Sequence, residues 1–334
     1  MKRLGASLYP LLGLVAILLA NAVLTPNFLS FQIQDGHLSG SIIDILLRAV
    51  PVVLLSLGMT LVIATGGVDL SVGAVMAIAG AVAAGLLIHP AGTPFASLSV
   101  APSLAIIVAF ALVAATLAGL FNGLLVAAGI QPIVATLALM VAGRGVAQLL
   151  TNGQIVTFAD PGMTSIGNGF LFGLPIPIWI AAASGLVVFI LIRGTALGLF
   201  ISATGASEAA SYLAGVPRTG VKVLVYGICG LLAGVAGLIA CSDIKGADAN
   251  NAGLYLELDA ILATCLGGTS MTGGKFNLAG TVIGALLMQT LTTTILTRGV
   301  SLEATLITKA LLVIAVCLFQ SASFRAMFDR RSQA

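Results

Sequence analysis

Residues 49–88 read AVPVVLLSLGMTLVIATGGVDLSVGAVMAIAGAVAAGLLI, and Asp69 is the only charged side chain among them. A membrane-spanning helix needs about 20 predominantly apolar residues, so this stretch is long enough for two. The adjacent glycines Gly66 and Gly67 permit the backbone to turn between them because glycine tolerates conformations that other residues avoid. The stretch therefore predicts two apolar helices joined by a short polar break.

The whole chain has the same apolar character. Of its 334 residues, 59% are hydrophobic and 7% are charged, and the mean hydropathy is +1.16. Soluble domains carry roughly a quarter charged residues. The net charge of +3 is small and its basic residues are dispersed, which excludes a nucleic-acid-binding tract. We predict one transmembrane domain over residues 1–334, surrounded by lipid, with no separate soluble domain.

This domain is predicted to be all-α, a polytopic bundle of about ten spans with discontinuous helices. The first span is the run from Leu4 to Leu24, which is longer than the roughly 7 to 15 apolar residues of a cleaved signal peptide. The other spans are predicted at residues 45–65, 70–89, 101–128, 131–150, 174–192, 222–241, 255–267, 276–297 and 304–320. The span at 255–267 has the shortest apolar core.

The basic residues predict the orientation of these spans. An even number of spans puts both termini on one side, and the side richer in lysine and arginine is cytoplasmic. With cytoplasmic termini, the inner segments hold Lys2, Arg3, Arg193, Arg218, Lys222, Lys275, Arg325, Arg330 and Arg331. The outer segments hold only Arg48, Lys245 and Arg298. Both termini are therefore predicted to be cytoplasmic.

Small residues and cysteines predict packing rather than chemistry. Three glycine pairs have the spacing that lets membrane helices approach closely, namely Gly119 with Gly123, Gly230 with Gly234, and Gly280 with Gly284. The cysteines lack metal-ligand spacing and lie in or beside apolar runs, which predicts buried thiols at Cys229, Cys241, Cys265 and Cys317. We predict no metal site and no cofactor.

The break at residues 65–73 is the first candidate site. An ionisable residue at this depth needs a protein, water or ligand partner. Asp69 either caps the following helix, where its charge meets the positive end of the helix dipole, or contacts a transported substrate. The candidates for the substrate pathway in this break are Thr65, Gly66, Gly67, Asp69 and Ser71.

A second segment, Gly267 to Gly274, repeats the pattern of the first. Both segments fit GGxx[LM][ST]xG between two apolar spans. Paired glycine-interrupted segments point to the pathway in transporters, although small-residue patterns also recur by chance. Lys275 follows Gly274 as in a phosphate-binding loop, but Phe276 stands where a serine or threonine is required. No ATP hydrolysis is therefore predicted for this chain.

Other polar residues lie within or between the spans. Asn122, Gln131 and Arg144 need partners inside the membrane, and both pore lining and interhelical hydrogen bonds fit them. The outer loop at 243–253 is polar and acidic. Its Asn250 and Asn251 either bind a polyhydroxylated ligand or a docking partner, or are simply solvated.

The longest predicted cytoplasmic loop, residues 193–222, carries signals for one short helix. Ser207 can cap an alanine-rich run that continues to Ala214, Gly215 can end it, and Pro217 prevents its continuation. Such a helix suits docking to a separate motor protein, and an inert connection would have the same composition.

Residues 59–73, MTLVIATGGVDLSVG, closely resemble the ribose-type permeases of bacterial ABC sugar importers, and the resemblance runs nearly from end to end. It includes the loop from Gly205 to Val216 and the segment from Leu256 to Ile261. Within the family, the galactofuranose permeases are most similar, on residues 34–36, 43–46, 141–148 and 246–253.

The resemblance implies a multi-pass permease of the bacterial inner membrane that imports galactofuranose or a related monosaccharide by alternating access. It implies three partners, which are a cytoplasmic ABC ATPase that hydrolyses the ATP, a periplasmic sugar-binding protein, and a second, non-identical permease subunit. The residues it assigns to ATPase coupling are Gly205, Ser207, Glu208, Ala209, Ala210 and Gly215. The family usually has Gly-x-Asn where this chain has Gly205-Ala206-Ser207.

Two other functions are compatible with the residues. The chain could be a secondary transporter in which Asp69 carries a proton or binds a cation. It could also be a structural membrane subunit that transports nothing.

Overall fold

The computed structural model describes residues 2–34, 36–97, 102–301 and 304–311, and most of them are helical. Its helices are α1 (Lys2–Leu24), α2 (Ser41–Ala64), α3 (Val72–Ile88), α4 (Leu104–Ala127), α5 (Pro132–Thr151), α6 (Pro161–Asn168), α7 (Ile176–Gly194), α8 (Leu197–Ala206), α9 (Glu208–Leu213), α10 (Arg218–Asp243), α11 (Leu256–Leu266) and α12 (Leu278–Thr297). Residues 304–311 are helical as well.

Within the described ranges, three small antiparallel ribbons lie in the segments between helices. They pair β1 (Gln32–Gln34) with β2 (His37–Ser39), β3 (Val156–Thr157) with β6 (Gly246–Ala247), and β4 (Phe170–Leu171) with β5 (Leu174–Pro175).

The apolar runs form helices close to the predicted bounds. Within the described ranges, six helices are long and apolar enough to cross a membrane, namely α2, α4, α5, α7, α10 and α12. The shorter helices α3 and α11, with 17 and 11 residues, border the two glycine-rich breaks. The tenth predicted span, 304–320, lies outside the described residues beyond 311. The polytopic helical fold is thus confirmed, while the count of ten stays a prediction.

The segment 193–222 contains two helices where the sequence predicted one. Helix α8 precedes the predicted helix α9, and it is apolar enough to pack inward, with Ile201 and Thr204 buried. Helix α6 was also not predicted. It is short, and the side chain of Asp160 caps it by accepting a hydrogen bond from the Met163 N–H at 2.7 Å.

The two ends of the bundle differ in the elements they contain. One cavity lies among the residues directly after α2, the end of α4, the starts of α5 and α10, and the start of α9. We call this end of the bundle the α9 end. Helices α2 and α4 therefore run toward the α9 end, whereas α5 and α10 run away from it. The loop at 243–253, which follows α10, lies at the other end, which we call the opposite end.

The predicted glycine pairs lie at close contacts between helices. On α4 and α10, a Cβ atom added to Gly230 would lie 2.9 Å from the Cα atom of Gly119. On α12, Cβ atoms at Gly280 and Gly284 would collide with backbone carbonyl oxygens of the segment that contains α11. Small residues let the backbones touch, which strengthens the dispersion contacts that hold membrane helices together.

Buried hydroxyl groups join α2 to the segments on either side of the second break. Thr60 Oγ1 lies 2.8 Å from Thr281 Oγ1 on α12 and 3.5 Å from Thr264 Oγ1 on α11. Among the cysteines, Cys229 and Cys241 are buried as predicted, Cys265 is half-buried, and Cys317 lies outside the described residues.

The ribbon of β4 and β5 lies directly before α7 and carries aromatic side chains. The indole N–H of Trp179 donates a hydrogen bond to the Leu171 carbonyl at 3.0 Å, and the Phe172 ring packs edge-on against the indole. Trp179 is 40% exposed. Helix α7 continues from it with many exposed apolar side chains, so this end of α7 has the amphipathic aromatic character typical of a membrane–water interface.

Candidate functional site

A cavity of about 500 Å³ opens at the α9 end. Four predicted pathway residues line it, namely Thr65, Gly66, Gly67 and Gln131. The rest of its lining comes from residues 126–130 and Pro132 at the α4–α5 connection, and from Glu208, Arg218 and Lys222. The cavity therefore brings four of the nine predicted pathway residues together with Glu208 of the predicted coupling segment.

The first break forms one wall of this cavity through its backbone. Thr65 turns its hydroxyl back to the carbonyl of Val62 at 2.8 Å, and Gly66 has a φ of +85° that favours glycine. Gly67 packs so closely on the Tyr226 ring that a Cβ atom would lie 2.5 Å from its hydroxyl oxygen. The wall is thus mainly backbone, and the N–H groups of Thr65, Gly66 and Gly67 already donate hydrogen bonds to carbonyls in the last turn of α2.

Asp69 lies behind this wall, where it is 1% exposed. Its Oδ1 atom accepts hydrogen bonds from the N–H of Ser71 at 2.9 Å and from the Ser71 hydroxyl at 2.6 Å. The Asn122 amide donates to the Ser71 hydroxyl at 2.8 Å and reaches Asp69 Oδ1 at 3.4 Å. The bond to the N–H two residues ahead is a typical aspartate turn before a helix.

This arrangement gives Asp69 a structural contact at the start of α3, but Ser71 is the N-cap residue, and among the described residues no side chain accepts a hydrogen bond from the first N–H groups of that helix. All three residues are buried, and their hydrogen bonds are directed to one another rather than to the cavity. It also shows Asn122 making an interhelical hydrogen bond between α4 and the start of α3. Contact of these three residues with a substrate stays a prediction.

The coupling segment begins with a well-capped helix. Ser207 accepts a hydrogen bond from the Ala210 N–H at 3.2 Å, and Gly215 ends the turn with a φ of +77°. The predicted cap and stop of α9 are therefore confirmed. Serine and asparagine are equally good at this capping position, so the departure from Gly-x-Asn preserves the local helix start. Ala209 lies within α9.

Glu208 anchors α9 to the first turns of α10. Its carboxylate oxygens lie 3.1 Å from the Arg218 guanidinium and 2.9 Å from the Lys222 ammonium. The hydrogen bond from Lys222 lowers the pKa of Glu208, partial burial opposes that shift, and the charges of Lys222 and Arg218 add to it. From the sequence, Arg218 and Lys222 were predicted only as positive charges on the cytoplasmic side. The sequence signal for these ion pairs was the position of Arg218 and Lys222 shortly after Glu208, an acidic residue at the start of the predicted helix.

We expect Glu208→Gln to loosen α9. Exposed ion pairs contribute about 0.5 kcal/mol, so the effect is local. Because the pKa of Glu208 is lowered in the fold, the pairs stabilise α9 above about pH 4.3 and are lost as the pH falls through the lowered pKa. The protection of the α9 amides against hydrogen exchange, expressed relative to the intrinsic exchange rate at each pH, should therefore fall in acid for the parent protein and depend less on pH for Glu208→Gln.

The matched control for Glu208→Gln is Asp243→Asn, an exposed carboxyl-to-amide change at the opposite end. Asp243 makes no ion pair among the described residues. Equal exchange of the α9 amides in the two variants would show that the ion pairs do not hold α9.

Asn250 and Asn251 lie in the loop at the opposite end, far along the bundle from the cavity. Asp248 organises this loop by accepting hydrogen bonds from the N–H groups of both residues and from the Asn251 side chain. Asn250 also accepts a hydrogen bond from the Gln148 amide at 2.8 Å. The structure therefore separates these two candidates from the pathway residues at the α9 end.

Arg144 fixes the same loop from α5. Its guanidinium donates hydrogen bonds to the carbonyls of Ala249 at 3.0 Å and Ala252 at 2.7 Å. From the sequence, pore lining and interhelical hydrogen bonds both fitted Arg144, whereas its contact is with a loop backbone. A second cavity of about 240 Å³ lies beside this loop and includes Asp248 and Asn251 in its lining.

Comparisons with known proteins identify the family of this chain. The family described as "Branched-chain amino acid transport system / permease component" matches residues 41–317. The galactofuranose transporter permease protein YtfT of Escherichia coli (strain K12) is 51% identical over 315 residues, which cover 94% of this chain and 89% of that protein.

Other relatives carry other sugars in their names. The fructose import permease protein FruF of Bifidobacterium longum (strain NCC 2705) is 38% identical over 88% of this chain and 81% of its own length. The ribose import permease protein RbsC of Escherichia coli (strain K12) is 37% identical over 93% of this chain and 92% of its own length. No solved structure matches significantly. The chain therefore belongs to the branched-chain amino acid transport system permease family, and it is an inner-membrane transport subunit rather than an enzyme.

Proposed function

We propose that this chain is the membrane-spanning subunit of an ATP-driven importer of galactofuranose or a closely related monosaccharide. The observation that carries the proposal is the cavity at the α9 end, because it joins the broken helix pair α2–α3 to the segment that resembles an ATPase contact. The 51% identity to a galactofuranose permease supports the choice of sugar class.

Helix α9 is the proposed docking point for the ATPase. It presents the apolar side chains Tyr212 and Leu213, which are 65% and 85% exposed, at the end of a bundle whose other exposed apolar residues lie mainly along its spans. The ion pairs of Glu208 hold this small helix on α10. A short, anchored helix with an apolar tip has the features expected of a contact for a soluble partner.

The orientation follows from this assignment. The α9 end and both termini face the cytoplasm, and the opposite end with Asn250 and Asn251 faces the periplasmic sugar-binding protein. A second, non-identical permease subunit completes the pathway, and sugar passes between the two subunits by alternating access. Fixation of the outer loop by Arg144 supports a docking role, since a fixed loop loses less conformational entropy when it binds.

Transport is tested with purified components in lipid vesicles. We expect the chain, together with a second permease, the ATPase and the binding protein, to take up labelled galactofuranose only when ATP is present. Ribose and fructose measured in the same vesicles define the selectivity. An ATPase variant that binds but does not hydrolyse ATP is the matched control. Uptake by this chain alone, driven by a proton or sodium gradient, would contradict the proposal.

A further inference from the structure

Four residues from three separate segments meet at the α9 end, and we call them the glycine junction, comprising Ala64, Gly205, Gly273 and Gly274. The N–H of Gly274 donates a hydrogen bond to the Ala64 carbonyl at 2.9 Å. A Cβ atom on Gly205 would collide with that same carbonyl oxygen and lie 2.5 Å from the Gly274 nitrogen. The end of α2, the end of α8 and the second break therefore touch through their backbones.

The second break can approach this closely only because of its glycines. Gly273 and Gly274 have φ values of +83° and +79°, a region that other residues rarely adopt. A Cβ atom on Gly273 would lie 2.8 Å from the Gly205 carbonyl oxygen and 3.0 Å from the Gly66 nitrogen. The second break thus contacts the first break as well as α8, so a displacement of one reaches the others directly.

The junction is directly connected to the proposed ATPase contact. Only Ser207 separates the last residue of α8 from the first residue of α9. The Ser207 N–H donates to the Ala203 carbonyl at 3.1 Å, while its side chain caps α9. Ser207 therefore belongs to both helices through its hydrogen bonds, and α9 cannot shift far without moving Gly205.

We infer that the glycine junction transmits displacement of α9 to both broken segments together, and that it stays closed throughout the transport cycle. This inference rests on the proposed function. It makes Gly205 a positioning residue, whose lack of a side chain keeps three backbones in contact. The transported sugar need not touch it.

The first test separates transport from ATP hydrolysis. In Gly205→Ala, the added methyl group must push Ala64 and Gly274 away, although alanine itself favours the helical conformation of α8. We expect the amount of sugar transported per ATP hydrolysed to fall about tenfold, a coupling loss within the usual range between linked sites. A general loss of folded protein would lower transport and hydrolysis together and leave their ratio unchanged.

The matched control is Gly220→Ala on α10. A Cβ atom at Gly220 meets no atom within 4 Å, and the residue lies between Arg218 and Lys222 at the same end of the bundle. We expect its ratio of transport to hydrolysis to equal that of the parent protein. An unchanged ratio in Gly205→Ala would overturn the inference.

A cross-link provides the second test, independent of how Gly205→Ala folds. A Cβ atom on Gly274 would lie 3.2 Å from the Ala206 Cβ atom, a few tenths of an ångström shorter than in an ordinary disulfide. The pair Ala206→Cys and Gly274→Cys is made in a background whose four native cysteines are alanine. Its reduced form serves as the reference, and we expect it to couple less well than the parent protein because a side chain at Gly274 crowds Ala206 and strains the backbone at a φ of +79°. That loss is present in both measurements, so only the effect of the bond is compared.

We expect the oxidised pair to transport as much sugar per ATP hydrolysed as the reduced pair, because a junction that stays closed tolerates a bond across it. Loss of transport on oxidation, restored by a reductant, would overturn the inference by showing that the junction must open. Transport by the parent protein is measured in the same vesicles. If the parent protein transported no sugar in these vesicles, that result would contradict the proposed function instead.

Discussion

Gly230→Leu is expected to destabilise the folded protein strongly. Gly230 on α10 faces Gly119 on α4, and a Cβ atom there already lies within 2.9 Å of the Gly119 Cα atom and closer still to the Ala115 carbonyl oxygen. A larger side chain has no rotamer that avoids these backbones. The cost is about 3 kcal/mol or more, at the upper end of the range for overpacked cores, because a whole helix must move.

The measurement is the fraction of monodisperse protein that survives heating in detergent. Gly145→Leu on α5 is the matched control, because a Cβ atom at Gly145 meets nothing within 4 Å. We expect that variant to melt close to the parent protein and Gly230→Ala to fall between the two. Equal melting of Gly230→Leu and Gly145→Leu would show that the α4–α10 contact adjusts to bulk.

Removal of the Asp69 side chain is expected to have the second-largest effect. In Asp69→Ala, the N–H and the hydroxyl of Ser71 both lose their acceptor while they are buried. Each buried unsatisfied donor costs about 1 to 3 kcal/mol, so we expect a loss of about 3 kcal/mol. The thermal stability of the solubilised protein reports this loss directly. Asp44→Ala, an exposed carboxylate on α2, is the control and should be nearly neutral.

Asparagine at position 69 separates a structural role from a role of the carboxyl group in transport. Its side-chain oxygen can accept the same hydrogen bonds from Ser71, so we expect Asp69→Asn to keep most of the stability and most of the ATP-driven uptake. A protein that moves protons or cations through Asp69 requires the carboxyl group itself. Full stability combined with abolished uptake in Asp69→Asn would therefore show that the carboxyl group itself acts in transport, either by contacting the sugar or by carrying a proton or cation.

The helices themselves could be predicted from the sequence because a long apolar run that spans lipid alone can form only one stable secondary structure, the helix. A backbone in hydrocarbon must satisfy all its hydrogen bonds internally, which a helix does. The bounds of α2, α4, α5 and α12 accordingly lie within a few residues of those predicted. Helix α8 was missed because ten apolar residues are too few for a span, and their apolar face is explained only by neighbours that are distant in sequence.

The candidate site was only partly predictable. The two glycine-rich segments shared a pattern, and the charge count placed both on the same side of the membrane. Nothing in that pattern specified that Gly274 would donate to Ala64, or that Gly205 would pack against both, since contacts across about 70 to 210 residues depend on the packed fold. The partner of Arg144 was equally hidden, because a loop carbonyl has no sequence signature.

Trp179 is the sole tryptophan in the chain. Since it stands at the start of α7, beside the ribbon of β4 and β5, its ultraviolet emission originates from one known position in the fold. Lipids brominated at defined carbons would quench it according to their distance, and so measure where the bilayer boundary lies on this protein without any attached dye. Arrival of a tryptophan-free binding protein at that end could be followed by the same signal in real time.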